Sequence, residues 1–533
     1  MTGCNTGRRD AFVRRLGLTR VLITAALMTS LVIASGSALT AAQVPATPTP
    51  SAPPYLYHTQ SALDQVKAAA DDPVILKLGT DELRSGDRVI LNASTAVLKF
   101  GDTVLATAED QVVFRLILVE TYQGNLYCLL ESDMVTGWAL PSSILSFENS
   151  LSSLTTLIQS DPQQAWGYMA RGSVRLAEGD MELAVLDLDT AIQLDRNRSL
   201  QYTDYGRIQF LRRENQLALG EFTESLRWQT KGNQVLGRSL INRAAVRARR
   251  LEYDLALADL DGAISILQNE INSLTFRNVQ IGSGFNRVYR NLDEANLVRG
   301  DVQLALGLPE LAEKDYKQIK TGAALAAADT SRGDYLTTQK KYPEALKKYD
   351  AAIKNEQLFV AAYLGKARLL EINAWNDAST GQPPRPEKYL AIIEMLQKAV
   401  DRSPGESGCR KLLGAAPGSV EARVVAATIA AYCRIAWYQA TCPHENGRDS
   451  VKAVENARVA VGLTLDQDPD ALNSLAAAYA RVQSFDAAIR AQTKALKLLP
   501  ADSALVDAYR SRLSRYQGKR TFQETSPSAR VRS

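Results

Sequence analysis

Cys442 and His444 stand two places apart in this 533-residue chain, and a thiol beside an imidazole base is a combination that can generate a nucleophile. The plainer reading is a buried cysteine followed by a loop histidine, and it is preferred. His58 is the only other histidine, and there is no Cys-x-x-Cys pair, so no metal-ligand set is expected. No Gly-rich phosphate loop occurs. Most Asp and Glu lie at helical spacing beside Lys or Arg, the pattern of solvated faces. No catalytic residue, cofactor or metal is therefore expected, and the chain reads as a non-enzyme.

A second concentration of chemistry is basic. Arg238, Arg243, Arg247, Arg249 and Arg250 crowd one predicted helix, and Arg207, Arg212 and Arg213 precede them. Guanidinium forks hold carboxylates bidentately, so an acidic peptide or a chain terminus is the matching ligand. A solvated basic face balanced by Glu252, Asp254 and Asp259 is the plainer alternative. Tyr127 and Trp138 form a third candidate, either an aromatic ligand shelf or core, with core preferred.

The elements behind these residues repeat. Arg171-Gly172, Arg243-Ala244, Arg299-Gly300 and Arg332-Gly333 are each followed, twelve places after the small residue, by Ala184, Ala256, Ala312 or Ala345. Seven places further stand Ala191, Ala263, Ile319 and Ala352. Ala476, Ala488 and Ala495 continue the pattern near the end. Small residues at such positions let helices touch closely, which points to stacked helical hairpins. The Arg before each small residue either pairs neighbouring repeats or lines a groove, and pairing is favoured.

The units 165–198, 237–270, 293–326 and 326–356 resemble tetratricopeptide (TPR) repeats. They carry small residues on a first helix, a turn such as Gly179-Asp180, and Ala-rich contacts on a second. Other units are degenerate, and Pro383-Pro384-Arg385-Pro386 marks an enlarged loop. The terminal module, with its Ala436-Trp437 to Thr441-Cys442-Pro443 stretch, looks like that of some exported bacterial repeat proteins. The resemblance implies that first helices line a concave surface, with Arg238, Asn242 and Arg249 facing it as partner-binding residues. Asn242 matches the Asn of a carboxylate clamp. Glu294 and Val298 stand where that clamp needs basic residues, so the clamp is not carried over.

Before the repeats, short runs rich in β-branched and aromatic residues occupy 88–91, 95–100, 112–120 and 125–130, with a turn at Gln123-Gly124-Asn125. With Gly137-Trp138-Ala139 they suggest a compact β-barrel. Their order resembles a bacterial SH3-like domain. Related domains often bind cell-wall peptides, so peptidoglycan is a second possible partner.

The amino-terminal segment has the form of an export signal. Basic residues end at Arg20, an apolar run spans 21–33, and small residues follow, allowing cleavage after Ala38 or Ala42. The run is short for a membrane span, and no other segment is long enough. Cys128, Cys409, Cys433 and Cys442 would remain after cleavage, and a bridge from Cys409 to either later cysteine stays open. The formal charge is +4, and five Arg with one Asp before Ala42 account for all of it. The near-neutral remainder argues against nucleic-acid binding.

The expected protein is mainly α: a TPR-type right-handed superhelix of helical hairpins behind a small all-β SH3-like barrel. Its parts are a signal peptide (1–42), a Pro/Thr/Ala-rich linker (43–73), the β domain (74–147), seven to eight repeats (148–516, with a loop insertion near 372–387) and a disordered tail (517–533). The expected function is that of an exported scaffold gripping a protein or peptide in its groove. The alternative is cell-wall attachment through the β domain.

Overall fold

The computed structural model describes residues 52–53, 75–100, 102–132, 134–229, 233–276, 287–376, 383–500 and 503–523. The expected signal peptide, Cys4, His58, most of the linker and residues 377–382 of the inserted loop lie outside them.

The β unit opens with a hairpin of β1 (Leu76–Leu78) and β2 (Asp81–Leu83). A seven-stranded sheet follows. Its strands are β3 (Arg88–Leu91), β4 (Val97–Phe100), β5 (Thr103–Thr107), β6 (Val113–Tyr122), β7 (Asn125–Glu131), β8 (Thr136–Ala139) and β9 (Ile144–Ser146). They lie in the order β5-β4-β8-β7-β6-β3-β9. Gln123 and Gly124 both adopt positive φ, 51° and 79°, the geometry of a two-residue hairpin between β6 and β7. Tyr127 and Trp138 are 2% and 1% exposed. The preferred core reading holds and the aromatic shelf does not: from Tyr127 onward β7 is buried on both faces, as is all of β8, and both rings lie in the core.

Among the described residues, helix α1 (Phe147–Ser160) leads into six hairpins. They are α2–α3 (Ala165–Glu178, Met181–Leu194), α4–α5 (Ser199–Leu211, Asn215–Trp228) and α6–α7 (Asn233–Arg249, Tyr253–Phe276). Next come α8–α9 (Arg287–Ala305, Pro309–Tyr316), α10–α11 (Gly322–Thr338, Tyr342–Asn355) and α12–α13 (Val360–Asn376, Pro386–Asp401). A short α14 (Gly405–Leu412) interrupts the series. Two more hairpins follow, α15–α16 (Val420–Thr441, Ser450–Leu463) and α17–α18 (Pro469–Arg481, Phe485–Leu498), and α19 (Val506–Gln517) covers the last of them. This is the mainly α, TPR-type superhelix.

The small residues explain the hairpins. Gly172, Gly300 and Gly333 are buried, as are Ala184, Ala191, Ala244, Ala256 and Ala263. So are Ala312, Ala345, Ala352, Ala476, Ala488 and Ala495. Over the first-helix glycine lies a large second-helix side chain: Leu188 over Gly172, Phe222 over Gly206, Tyr316 over Gly300, Tyr349 over Gly333. A Cβ on Gly333 would stand 2.6 Å from the Tyr349 ring, so the ring takes the space that any side chain there would need. The tyrosine hydroxyls then donate to the residue after the glycine, Tyr316 to Asp301 and Tyr349 to Asp334, each at 2.7 Å.

The β unit shares its core with the first repeats. Trp166 of α2 donates its indole N–H to the Ala108 carbonyl at 3.4 Å, and Asn291 of α8 donates to the Met134 carbonyl at 3.2 Å. The Arg287 amide meets the Thr136 hydroxyl at 3.4 Å.

The start of the expected disordered tail is also ordered. Phe522 packs 5.6 Å from the Trp437 ring, and its carbonyl accepts from Arg481 at 3.3 Å. Phe522 thereby helps to shield the apolar Trp437 ring from water.

Candidate partner-binding groove

The arginines that precede the small residues turn inward to their own hairpins. Arg171 reaches Asp187, Arg243 reaches Asp259 and Arg299 reaches Asp315, in each case with Nε and Nη2 on the two carboxylate oxygens at 2.6–2.9 Å. Arg175 and Arg247, one turn later, add a second contact to Asp187 and Asp259 at 2.7 Å. Pairing between neighbouring repeats, the reading favoured on sequence, therefore does not describe these contacts. Among the described residues it holds for two of these arginines, Arg299 with Asp261 of α7, at 2.7 Å, and Arg332 with Glu313 of α9, at 2.9 Å. The carboxylate sits sixteen residues after the Arg, a spacing present in the sequence that hydrophobic periodicity does not reveal.

Arg238 and Asn242 of α6 do not face an open groove. They are 1% and 0% exposed. Arg238 pairs with Glu294 of α8, donates Nε to Asn242 Oδ1 at 3.1 Å and donates Nη2 to the Pro417 carbonyl at 2.7 Å. The other Glu294 oxygen accepts the Val420 amide at 3.2 Å. Gly418, at φ +79°, lies so close to α6 and α8 that a Cβ would meet Val298 at 3.1 Å and Ala245 and Ile241 at 3.3 Å. The inner face of these first helices is thus occupied by the chain's own 416–420 turn. A buried guanidinium demands a counter-charge, and Glu294 supplies it. The acidic residue that disqualifies the clamp is the one that fixes Arg238.

Arg249 keeps an exposed edge. Its guanidinium lies 3.5 Å over the Phe210 ring and donates to the Phe210 carbonyl at 3.0 Å. Burial, reinforced by the nearby charge of Arg213, pushes its pKa down to about 10. It borders an apolar cavity of about 140 Å³ against α15, away from Arg238 and Asn242. The three residues do not form one binding site.

The inner face is open further along. Two adjoining cavities of about 360 and 560 Å³ share Ser331, Asp334 and Arg368. Their walls come from the first helices α8, α10 and α12, with Leu304 and Thr338 at the wide end and Arg423 of α15 at the other. Asp334 retains solvent on its open side, yet the protein packed around it pushes its carboxyl above the usual range, against the Tyr349 hydrogen bond and the Arg368 charge. Arg423 is held by Asp301. The result is a polar trough lined by Asp334, Arg368 and Arg434 together with the Arg423–Asp301 pair. The clustering of charge along the sequence points to α6 and misses this trough, because its residues are dispersed over four helices.

Cys442 is fully buried beneath Gly447, whose Cβ would lie 2.6 Å from the sulfur. His444 directs Nε2 to the Pro384 carbonyl at 3.0 Å and packs on Tyr389, with ring centroids 5.4 Å apart. The pair is built into packing. Cys128, Cys409, Cys433 and Cys442 are buried free thiols, so the open question of a Cys409 bridge resolves against it. Burial pushes Cys128 up to about 12. Among the described residues no cluster of His, Cys, Asp or Glu could hold a metal ion, and no helix is long and apolar enough to cross a membrane.

No family profile matches the sequence, and no curated protein matches it. Solved structures do. YrrB, described as a TPR protein with an unusual peptide-binding site, is 18% identical, with 40% of this chain aligned to 98% of that one at a TM-score of 0.30. A tetratricopeptide repeat protein from Parabacteroides merdae is 14% identical over 69% of this chain and 99% of its own, TM-score 0.29. Yeast Tom70 is 13% identical over 70% and 86%, TM-score 0.31. The repeat register described above, rather than these matches, defines the fold.

Proposed function

We propose that this protein is an exported, non-enzymatic scaffold that holds a protein or peptide partner in the open trough formed by α8, α10 and α12. The observation that carries this reading is the change along the inner face. At α6 and α8 the chain covers it with its own turn, through backbone carbonyl and amide contacts to Arg238 and Glu294. That turn sets one guanidinium nitrogen on a carbonyl and one carboxylate oxygen on an amide, contacts that a partner's backbone could make on the same face. At α10 and α12 the same face remains accessible, with Asp334 and Arg368 offering a matching acceptor and donor.

The test is capture from the native envelope with wild type and with Ser331→Arg/Thr338→Arg, which fills the trough from its walls. Loss of the captured proteins in the variant supports the reading. Recovery of the same set by both refutes it. Export is checked by sequencing the amino terminus of the secreted chain, which should begin at Leu39 or Gln43. The cell-wall alternative rests on the likeness of the β unit to bacterial SH3-like domains, and retention of the full chain on purified wall would support it.

A further inference from the structure

A separate cavity, of about 220 Å³, lies where the sheet, the early repeats and the α14–α15 segment meet. It shares no residue with the open trough. Its walls are strongly charged. Arg88 and Arg115 come from the sheet, Arg207, Arg287 and Arg290 from the repeats, and Lys411 from α14. Three carboxylates, Glu131, Asp204 and Glu421, oppose these six cations.

The acids are largely committed. Glu131 takes Arg290 at 2.8 Å and Arg287 at 3.6 Å, and Asp204 sits 3.4 Å from Arg207 while accepting the Ser173 hydroxyl. Arg88 donates to the Ala177 carbonyl at 2.9 Å and lies 3.6 Å over the Phe147 ring. Among the described residues, no carboxylate forms an ion pair with Arg88, Arg115 or Lys411. Burial and the Arg115 charge hold Arg88 below the ordinary arginine value, against the pull of Glu178. The walls therefore carry an excess of positive charge, with Arg88 partly buried and Arg115 and Lys411 exposed, a setting that favours an oxyanion. Two wall residues ask for something more. Gln111 Oε1 and Glu421 Oε2 are buried acceptors with no hydrogen-bond donor. A ligand that carried a hydroxyl or ammonium group beside its anionic oxygens would answer both demands.

We propose that this cavity binds a small oxyanion, a carboxylate or a phosphate ester, that also bears a hydroxyl or ammonium donor. The volume is below that of a drug-sized pocket, so the ligand is a small metabolite rather than a peptide. Such a ligand would touch the sheet, the repeats and the α14–α15 segment at once, and binding would raise the melting midpoint by linkage.

The experiment melts the full chain in malate, succinate, glycerol 3-phosphate, inorganic phosphate and chloride at matched ionic strength. The expected result is a saturable rise in midpoint beyond chloride, larger for malate than succinate, or for glycerol 3-phosphate than phosphate. The responding pair identifies the carboxylate or phosphate source. Arg115→Ser/Lys411→Ser removes two exposed cations without disturbing the core, and should weaken binding by about tenfold or more. Lys452→Ser, an exposed change on α16, should bind as wild type. Either of two results overturns the proposal: no salt exceeding chloride in the wild type, or an undiminished response in the Arg115/Lys411 double variant.

Discussion

Arg171 grips Asp187 with both edges of its guanidinium, Nε at 2.9 Å and Nη2 at 2.8 Å, while Arg175 approaches the same carboxylate at 2.7 Å. Asp187 is buried, and the two arginines are mostly covered. Asp259 receives Arg243 and Arg247 in the same way. One acid thus ties the first helix to the second at two levels, and helix pairing becomes geometric as well as apolar. Removing it strands two guanidiniums in a poorly solvated place.

Asp187→Ala should therefore destabilise the α2–α3 hairpin by about 2 kcal/mol, less than a fully buried pair because both arginines keep some water. A double-mutant cycle with Arg171→Ala reads the pairwise part. Additive losses across the cycle would show that the clamp contributes nothing of its own.

Stability should also depend on Glu221 of α5. Burial, then the charges of Glu224 and Asp189, push its carboxyl up to about 7. The folded value lies above the unfolded one, so the folded state binds the extra proton. The favourable contribution is present below the ordinary carboxyl range and is lost as pH rises through about 7. Glu221→Gln should match wild type near pH 4 and melt higher than wild type at pH 8. A constant difference between the two curves across that range would reject the assignment.

Much of this architecture is legible in the sequence because its cause is local. Gly172, Gly300 and Gly333 stand out since a helix tolerates glycine poorly unless something needs the space. The hairpin turn at Gln123-Gly124 is visible for the same backbone reason. The inner face is less legible. Arg238 looks like a free groove cation, and only the 416–420 turn, far off in sequence, shows what it holds. The trough at Asp334 and Arg368 is assembled from α8, α10, α12 and α15 with no local cluster, so periodicity carries no trace of it. Four αL turn residues, Arg213, Leu251, Lys340 and Gln483, likewise occupy positions where a glycine would have announced the turn.

Leu251 makes that last point testable. Its φ is +63° and it is 69% exposed, so its side chain gives little back for the strained backbone. Leu251→Gly should stabilise the α6–α7 hairpin, by up to about 1 kcal/mol after the entropy of the unfolded glycine is counted. A lower melting temperature would mean that the leucine makes contacts worth more than the strain.

Gly333 should behave in the opposite sense. The Tyr349 ring lies between Gly333 and Gly365, and a Cβ on either would invade it. The ring is fully buried and anchored by its hydroxyl to Asp334, so it has little freedom to move aside. Gly333→Leu should destabilise by about 3 kcal/mol through overpacking. Pairing Gly333→Ala with Tyr349→Leu should recover part of the loss of Gly333→Ala alone. If the pair is as unstable as the sum of its members, the ring is not the obstacle.

The Arg238–Glu294 pair sets the fate of the covered inner face. Burial pushes the Glu294 carboxyl up against the stabilising charge of Arg238, so the pair is held at the expense of desolvation. Removing one member leaves the other buried and uncompensated, a loss of about 3–5 kcal/mol. Glu294→Met should therefore be far more damaging than Arg238→Met/Glu294→Met, in which neither charge remains. The two should also differ locally. Val420 donates its amide to Glu294, and Pro417 accepts from Arg238, so both variants release the Val420 amide and the double variant also releases the Pro417 carbonyl. Hydrogen exchange at the Val420 amide should accelerate in both, while global unfolding shifts mainly in the single variant. An unchanged Val420 exchange rate in the double variant would mean that Gly418 packing against Val298, Ala245 and Ile241 holds the turn without help from the charged pair.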